Sequence, residues 1–385
     1  MGLRVLITNI TLWPPSGTVT YTRDLALELQ RQGHRPAVFS STSGTVATEL
    51  RDAGIEVTDR LSRLRGRPDV IHGNHRAPTL EAIRQWPTVP AIYVCHDHTS
   101  PNDRTPIHPN IRRHLGVSRV CVERLIADGV STSRAELVLN FVDLARFSPR
   151  SPLPERPRRA LLFSNYAHRG SNYAHLGSSN AHLGSQLPAV FEACRKAGLE
   201  VDVAGSGVAR IVERPELLLP KYEIVFAKGK AAMEAMAAGT AVILCDFSGV
   251  GPMVSSTRFD ELRPLNFGFE ALQDPLREEP LLREIARYDP EDAARVRDLL
   301  RSSAGLVPAV ENLVRIYDEA IAEHSHMHAI PHAARPQRWA TREAVFLRIM
   351  WRWSAMSPSR RAMIKGLPGV QAIERSLRRL LGQTG

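Results

Sequence analysis

At 385 residues the chain is longer than one compact core usually holds, so two domains are expected. Hydrophobic residues make up 43% and charged residues 23%, a globular composition that excludes a fibrous or wholly disordered protein. The net charge of +10 is uneven: residues 331–385 hold eleven Lys or Arg against two acidic residues, which leaves about +1 for the first 330 and argues against a nucleic-acid footprint on the body.

MGLRVLITNI runs into a strand-like segment without a secretory apolar region and cleavage site, and no apolar run has the length of a bilayer span. A soluble cytoplasmic protein, or one peripheral at the inner face of the membrane, is expected. RVLITNI (4–10) is the continuous apolar run of a strand buried on both faces. The turn WPPSGT follows, then Val19, Tyr21, Leu25, Ala26 and Leu29 at helical spacing up to Gly33. PAVFS, DVIHG, AIYVCHD and LGVSRV read as further strands, with helices near 77–86 and 119–129 between them. Four prolines in Ser148–Arg159 mark a linker. The alternation then resumes with RALLFSN, a helix at 186–198, LEVDVAG, EIVFAKG, a helix at 230–238 and AVILCD; a helical region at 291–324 closes this half. Strands alternating with helices imply parallel sheets built from βαβ units. The expected domains are 1–150, 151–330 and a basic tail, 331–385.

Two segments stand outside this plan. Residues 165–185 are an imperfect seven-residue repeat placing His168, His175 and His182 at equal spacing. Expansion of a loop is the simpler reading than a metal site, since a Gly/Ser-rich stretch gives histidines no rigid frame. In the tail, Phe346, Ile349, Met350 and Trp353 share one helical face opposite Arg348 and Arg352. Such a helix over 340–380 suits an anionic membrane surface, or packs back on the first domain. Cys95, Cys121, Cys194 and Cys245 are far apart without a CxxC pair, so buried reduced thiols are expected rather than disulfides or zinc ligands.

The residues suited to chemistry follow strands. Gly17 and Thr18 open a helix after the first strand, where free N–H groups and a partial positive charge favour phosphate. His96 ends the strand AIYVC, at an edge where parallel sheets bind ligands. In EIVFAKGKAAMEAMAAGTAVILCD (223–246), Gly229 permits close approach of a ligand to the backbone. Glu234 suits ribose hydroxyls, and Lys228 and Lys230 suit phosphate charge. The plainer alternative is a helix with an exposed glutamate and two solvated lysines.

KGKAAMEAMAAGTAVI resembles the donor-site signature of family 4 glycosyltransferases, roughly G-x-x-x-x-E-A-M-A-x-G-x-x-V-I. SGTVTYTRDLALELQRQGHRPAVFS, LVLNFVDLARFSPR and the G-x-G turn of VDVAGSG are similar to the family's first loop and helix, its interdomain lead-in and its second-domain turn, in the same order over about 3–325. The resemblance implies a GT-B architecture, an α/β fold of two Rossmann-like domains facing across a cleft, with acceptor on the first and nucleotide sugar on the second. It implies a hexosyltransferase-like enzyme of glycan, polysaccharide or glycoconjugate synthesis, retaining and metal-independent, with a UDP- or GDP-type donor, a glycan or lipid-linked acceptor and no separate cofactor. His96 then matches the active-site histidine and is the catalytic candidate, and Glu234 matches the ribose ligand. Gly17, Thr18, Asn165, Gly205, Lys228, Gly229 and Lys230 line the donor site. The family's second glutamate, eight residues before Glu234, is here Phe226, and its diphosphate-gripping Arg and Lys are replaced by Ser164–Ala167 and the repeat, with Arg169 the nearby cation. Nucleotide-sugar epimerases and non-catalytic nucleotide-sugar binders share the architecture, so fold alone leaves the reaction open.

Overall fold

The computed structural model describes residues 2–165 and 187–328. All but the first residue of the seven-residue repeat, and the basic tail, lie outside them, as do the metal and membrane readings attached to those segments.

The first sheet is entirely parallel. Its strands are β1 (Arg4–Asn9), β2 (Arg35–Ser40), β3 (Glu56–Thr58), β4 (Val70–Asn74), β5 (Ala91–Cys95), β6 (Ile111–Gly116) and β7 (Ala135–Leu137), in the order β3-β2-β1-β4-β5-β6-β7. Helices α1 (Gly17–Arg31), α2 (Thr45–Asp52), α3 (Arg76–Gln85) and α4 (Arg119–Ala127) connect them. Strands β4 and β5 are buried at every position because helices cover both faces. The strand expected at LGVSRV lies earlier, at Ile111–Gly116; Ser118 instead caps α4, its side chain accepting from the Cys121 N–H.

The second sheet holds β8 (Arg159–Phe163), β9 (Glu200–Ala204), β10 (Ile224–Ala227), β11 (Ala241–Asp246) and β12 (Gly249–Met253), in the order β12-β11-β10-β8-β9. Only the edge strand β12 is antiparallel. Its helices are α5 (Leu187–Lys196), α6 (Pro215–Leu218), α7 (Gly229–Ala237), α8 (Phe259–Leu262), α9 (Glu278–Ile285) and α10 (Pro290–Ser303). Phe226 lies on β10, fully buried among Leu162, Ile243 and Cys245, so the position of the family's second glutamate is core here.

In each sheet the strand order reverses once, between β1 and β4 and between β8 and β10. At such a reversal the connecting helices leave toward opposite faces and open a crevice at the carboxyl ends of the strands. The residues there are Ile10–Gly17 and Asn74–His75 in the first sheet, and Ser164–Asn165 and Lys228–Gly229 in the second.

The helical region expected to close the second half is two helices with different cores. α10 places Val296 and Leu300 in the second domain's core. α11 (Leu306–His328) returns to the first, burying Val310, Leu313, Ile316, Tyr317 and Ala320 there. The span 151–330 therefore serves both domains. The outgoing and returning chains bind each other where they cross: Val142 N–H donates to Ala304 O (2.7 Å) and Leu306 N–H to Val142 O (3.0 Å). Within α11, Leu313 is wholly buried. Leu313→Ala should cost about 2–5 kcal/mol, the range for a buried leucine truncated in a packed core. Urea unfolding of the first domain checks this, and a loss below about 1 kcal/mol would place α11 outside its cooperative core.

Candidate functional site

A cleft of ≈ 720 Å³ opens where the two crevices face each other. It is lined from the first domain by Pro15, Ser16, Gly17, Arg23 and Glu49, and from the second by Asn165, Gly205, Lys230 and Glu234, among others. Five of the nine residues singled out in the sequence, Gly17, Asn165, Gly205, Lys230 and Glu234, thus share one wall or the other. Thr18, His96, Lys228 and Gly229 lie outside the lining.

On the first-domain side, α1 begins at Gly17 after Ser16, whose side chain makes no capping bond. The first-turn N–H groups therefore keep their donor capacity toward the cleft. A Cβ on Gly17 would meet nothing within 4 Å, so the approach to this backbone is open. On the other side, Asn165 ties the walls together. Its Nδ2 donates to Pro15 O (2.9 Å) and its Oδ1 accepts from Ser206 N–H (3.0 Å). Gly205 makes that turn possible: its φ is 143°, and an added Cβ would lie 2.0 Å from Ser164 O.

The β10–α7 junction is a single residue, Lys228, and Gly229 takes φ 58° to start the helix. Lys228 Nζ lies 3.2 Å from Asp246 Oδ2 and 3.7 Å from the centroid of the Phe269 ring. Lys230 is 6% exposed and binds Asp24 Oδ2 at 2.9 Å and Phe141 O at 3.0 Å, with Glu234 Oε1 at 3.6 Å. The exposed-glutamate alternative is thus set aside. Glu234 is buried against the cleft, and each lysine already faces a carboxylate. Burial pushes the Glu234 carboxyl up to about 7, opposed by the neighbouring Lys230 ammonium and reinforced by Asp24.

His96 sits behind this wall. Its Nε2 bonds Asn74 Oδ1 (2.8 Å) and its ring meets Tyr21 edge-on at 4.7 Å. Tyr21 in turn packs on Phe141 at 4.8 Å, and Lys230 Nζ lies 5.3 Å from the Phe141 ring, so an aromatic path runs from His96 to the cleft. Burial holds His96 well below the usual histidine range, helped by His75 and His72. Among the described residues, no group of three or more His, Cys, Asp or Glu is disposed to hold a metal, and no helix is long and apolar enough to cross a membrane.

Residues 15–146 match the family described as Glycosyltransferase Family 4. A glycosyltransferase from Rickettsia africae ESF-5 superposes with a TM-score of 0.57 at 15% identity, over 83% of this chain and 99% of the other. Anabaena Alr3699/HepE, solved in complex with UDP-glucose, superposes with a TM-score of 0.54 at 15% identity, over 82% of this chain and all of its own. The chain has the GT-B fold. No curated protein matches it in sequence.

Several residues of this GT-B cleft carry no motif in the sequence. Arg146 lines it, held by Glu216 Oε2 (3.0 Å) and Glu213 O (3.0 Å). Arg214 lines it too, 3.0 Å from Glu216 Oε1. At the first crevice His75 holds φ 62°, a region rarely taken by a residue with a side chain, and accepts from Ile10 N–H at 3.4 Å. Nothing in DVIHGNH beyond its apolar run signals this.

His72 and His75 are both buried, which lowers them to about 3 and about 4. Their folded values lie below the unfolded one, so the unfolded chain binds more protons as pH falls. Stability is complete above about pH 6.5 and declines below it, by roughly 1.4 kcal/mol per pH unit for each histidine. Melting temperatures from pH 7.5 to 4.5 check this, and His72→Gln should flatten the slope; an unchanged slope would assign the protons elsewhere.

Proposed function

We propose that this protein transfers a sugar from a nucleoside-diphosphate sugar to a hydroxyl acceptor. The observation that carries the reading is the cleft itself: an uncapped helix N-terminus from one GT-B domain faces a buried glutamate from the other. The first suits a diphosphate, and the second suits vicinal hydroxyls of a ribose. Arg23, Arg146 and Arg214 in the lining offer N–H donors to the departing diphosphate, each held in place by Asp24, Glu49 or Glu216. Lys230 gives its charge first to Asp24, so its share in phosphate neutralisation is indirect.

In this mechanism the donor enters with its nucleotide between Glu234 and the turn at Gly205. Closure of the walls excludes water and aligns the anomeric carbon with the acceptor hydroxyl. The glycosidic C–O bond breaks toward an oxocarbenium-like state while the N–H groups of α1 take the charge developing on the diphosphate. His96, neutral and fixed on Asn74, lies behind the wall, so its assignment to orient the sugar or acceptor rests on the family 4 resemblance. Retention of anomeric configuration, independence of metal and a place in polysaccharide or glycoconjugate synthesis rest on the family 4 resemblance. The donor is UDP- or GDP-linked, and UDP is the first to test because Alr3699/HepE was solved with it.

A thermal-shift comparison of UDP, GDP, ADP and their sugar conjugates tests the donor site. One nucleotide should stabilise the protein, by about 2.7 kcal/mol at a hundred times its Kd. Glu234→Ala should abolish that shift. Stabilisation equal in both proteins would remove Glu234 from the site. No stabilisation by any nucleotide would favour a non-catalytic relative, as would failure to turn over a bound donor.

A further inference from the structure

The Lys230 ammonium has three protons to place and almost no water to place them in. Asp24 Oδ2 and the Phe141 carbonyl take the two short contacts, at 2.9 and 3.0 Å. Glu234 Oε1, at 3.6 Å, lies beyond hydrogen-bond length. Asp24 comes from α1 of the first domain, and Lys230 and Glu234 from α7 of the second. Asp24 is itself 2% exposed, and its other oxygen takes a bond from Arg23 Nη1 (2.8 Å), whose Nε donates to Glu49 (2.7 Å). A line of alternating charge, Glu49–Arg23–Asp24–Lys230–Glu234, thus crosses from one wall of the cleft to the other.

We propose that Asp24 is a positioning residue of the donor site: it holds the Lys230 ammonium toward the first domain and so keeps the Glu234 carboxylate open to a ligand. The proposal rests on the donor-site reading above and extends it. Without Asp24 the ammonium loses its nearest anion and turns onto Glu234, the one carboxylate left beside it. A closed Lys230–Glu234 pair spends the lone pairs that a ribose needs. The second domain's donor site is then complete only with α1 of the first domain docked on it, which links nucleotide capture to apposition of the two walls.

The charges that weigh most on Glu234 are Lys230 on its own helix, Asp24 from α1 and Arg146 from the interdomain segment, in a cleft also lined by Arg23, Glu49, Arg214 and Glu216. Asp24 raises the Glu234 carboxyl and the two cations lower it, so removing Asp24 moves its titration to lower pH. Loss of the Asp24 charge lowers that midpoint whatever the role of Asp24, whereas recovery of affinity on removing Lys230 as well is what a purely structural Asp24 would not give.

The test is calorimetric titration of the full chain with UDP and with GDP between pH 5.5 and 8.5, for wild type, D24N, D24N/K230M and E234A. Wild-type affinity should rise as pH increases through neutrality, because the ligand needs the ionised carboxylate. D24N should bind about ten-fold more weakly at pH 7.5, the scale of one hydrogen bond to a charged group, with its midpoint displaced to lower pH. D24N/K230M, which has neither an orphan charge nor an ammonium to close on Glu234, should recover most of the affinity at pH 8.5 with a midpoint above that of wild type. If D24N does not fold, the double variant carries the test. Wild-type affinity and midpoint in D24N, or in the double variant a wild-type midpoint or no recovery, would overturn the role of Asp24 while leaving the donor site standing. Binding of neither nucleotide to wild type, or unchanged binding to E234A, would instead overturn the donor-site reading and this inference with it.

Discussion

A charged amine without water must find anions or carbonyls, and Lys230 of the second domain finds both of its short contacts outside its own domain. Stripping an ammonium of its hydration costs several kcal/mol, which one contact at 3.6 Å cannot offset. The Asp24 carboxylate and the Phe141 carbonyl must therefore come within 3 Å of it, and they bring α1 and the interdomain segment with them. Once α1 is drawn to α7, Gly17 faces Glu234 and Asn165 reaches Pro15. The Lys230–Asp24 pair and the Asn165–Pro15 bond together hold the two walls in apposition.

The same economy governs what surrounds it. Lys228 and Asp246 answer each other beside the Phe269 ring, and Phe226 fills core space where a glutamate would have stood. The second-domain wall of the cleft thus presents few uncommitted charges, since Lys230 already faces Asp24 and Arg214 faces Glu216. What remains for an anion is backbone N–H at α1 and arginines that are themselves braced by Glu49, Glu213 and Glu216. Braced guanidiniums are ordered before a ligand arrives, which lowers the entropy lost on binding.

The α/β plan was legible because fully buried strands such as Val70–Asn74 and Ala241–Asp246 read as unbroken apolar runs. Edge strands escaped that signal. β3 and β7 are three residues long and partly exposed, and β12 contains two glycines and a proline. β6 was placed late because Arg112 and Arg113 interrupt it, although Arg112 is only 4% exposed and pairs with Glu323 of α11. Gly17 and Glu234 were legible from their places at helix starts after strands, and Asn165 and Gly205 only from the family 4 resemblance. Asp24 and Arg23 were not, since charges inside an amphipathic helix look like a solvated face until a partner from elsewhere in the chain buries them. The destination of α11 was hidden for a related reason: helical periodicity shows that a face is apolar without showing which core receives it.

Among the described residues the two crossings between domains lie side by side, joined through Val142 to Ala304 and Leu306. The hydrogen-bonded pair of crossings has α10, packed in the second core, on one side and α11, packed in the first, on the other. With both crossings at one place, the first and second domains meet again across the cleft, where Asp24 of α1 lies 2.9 Å from Lys230 of α7.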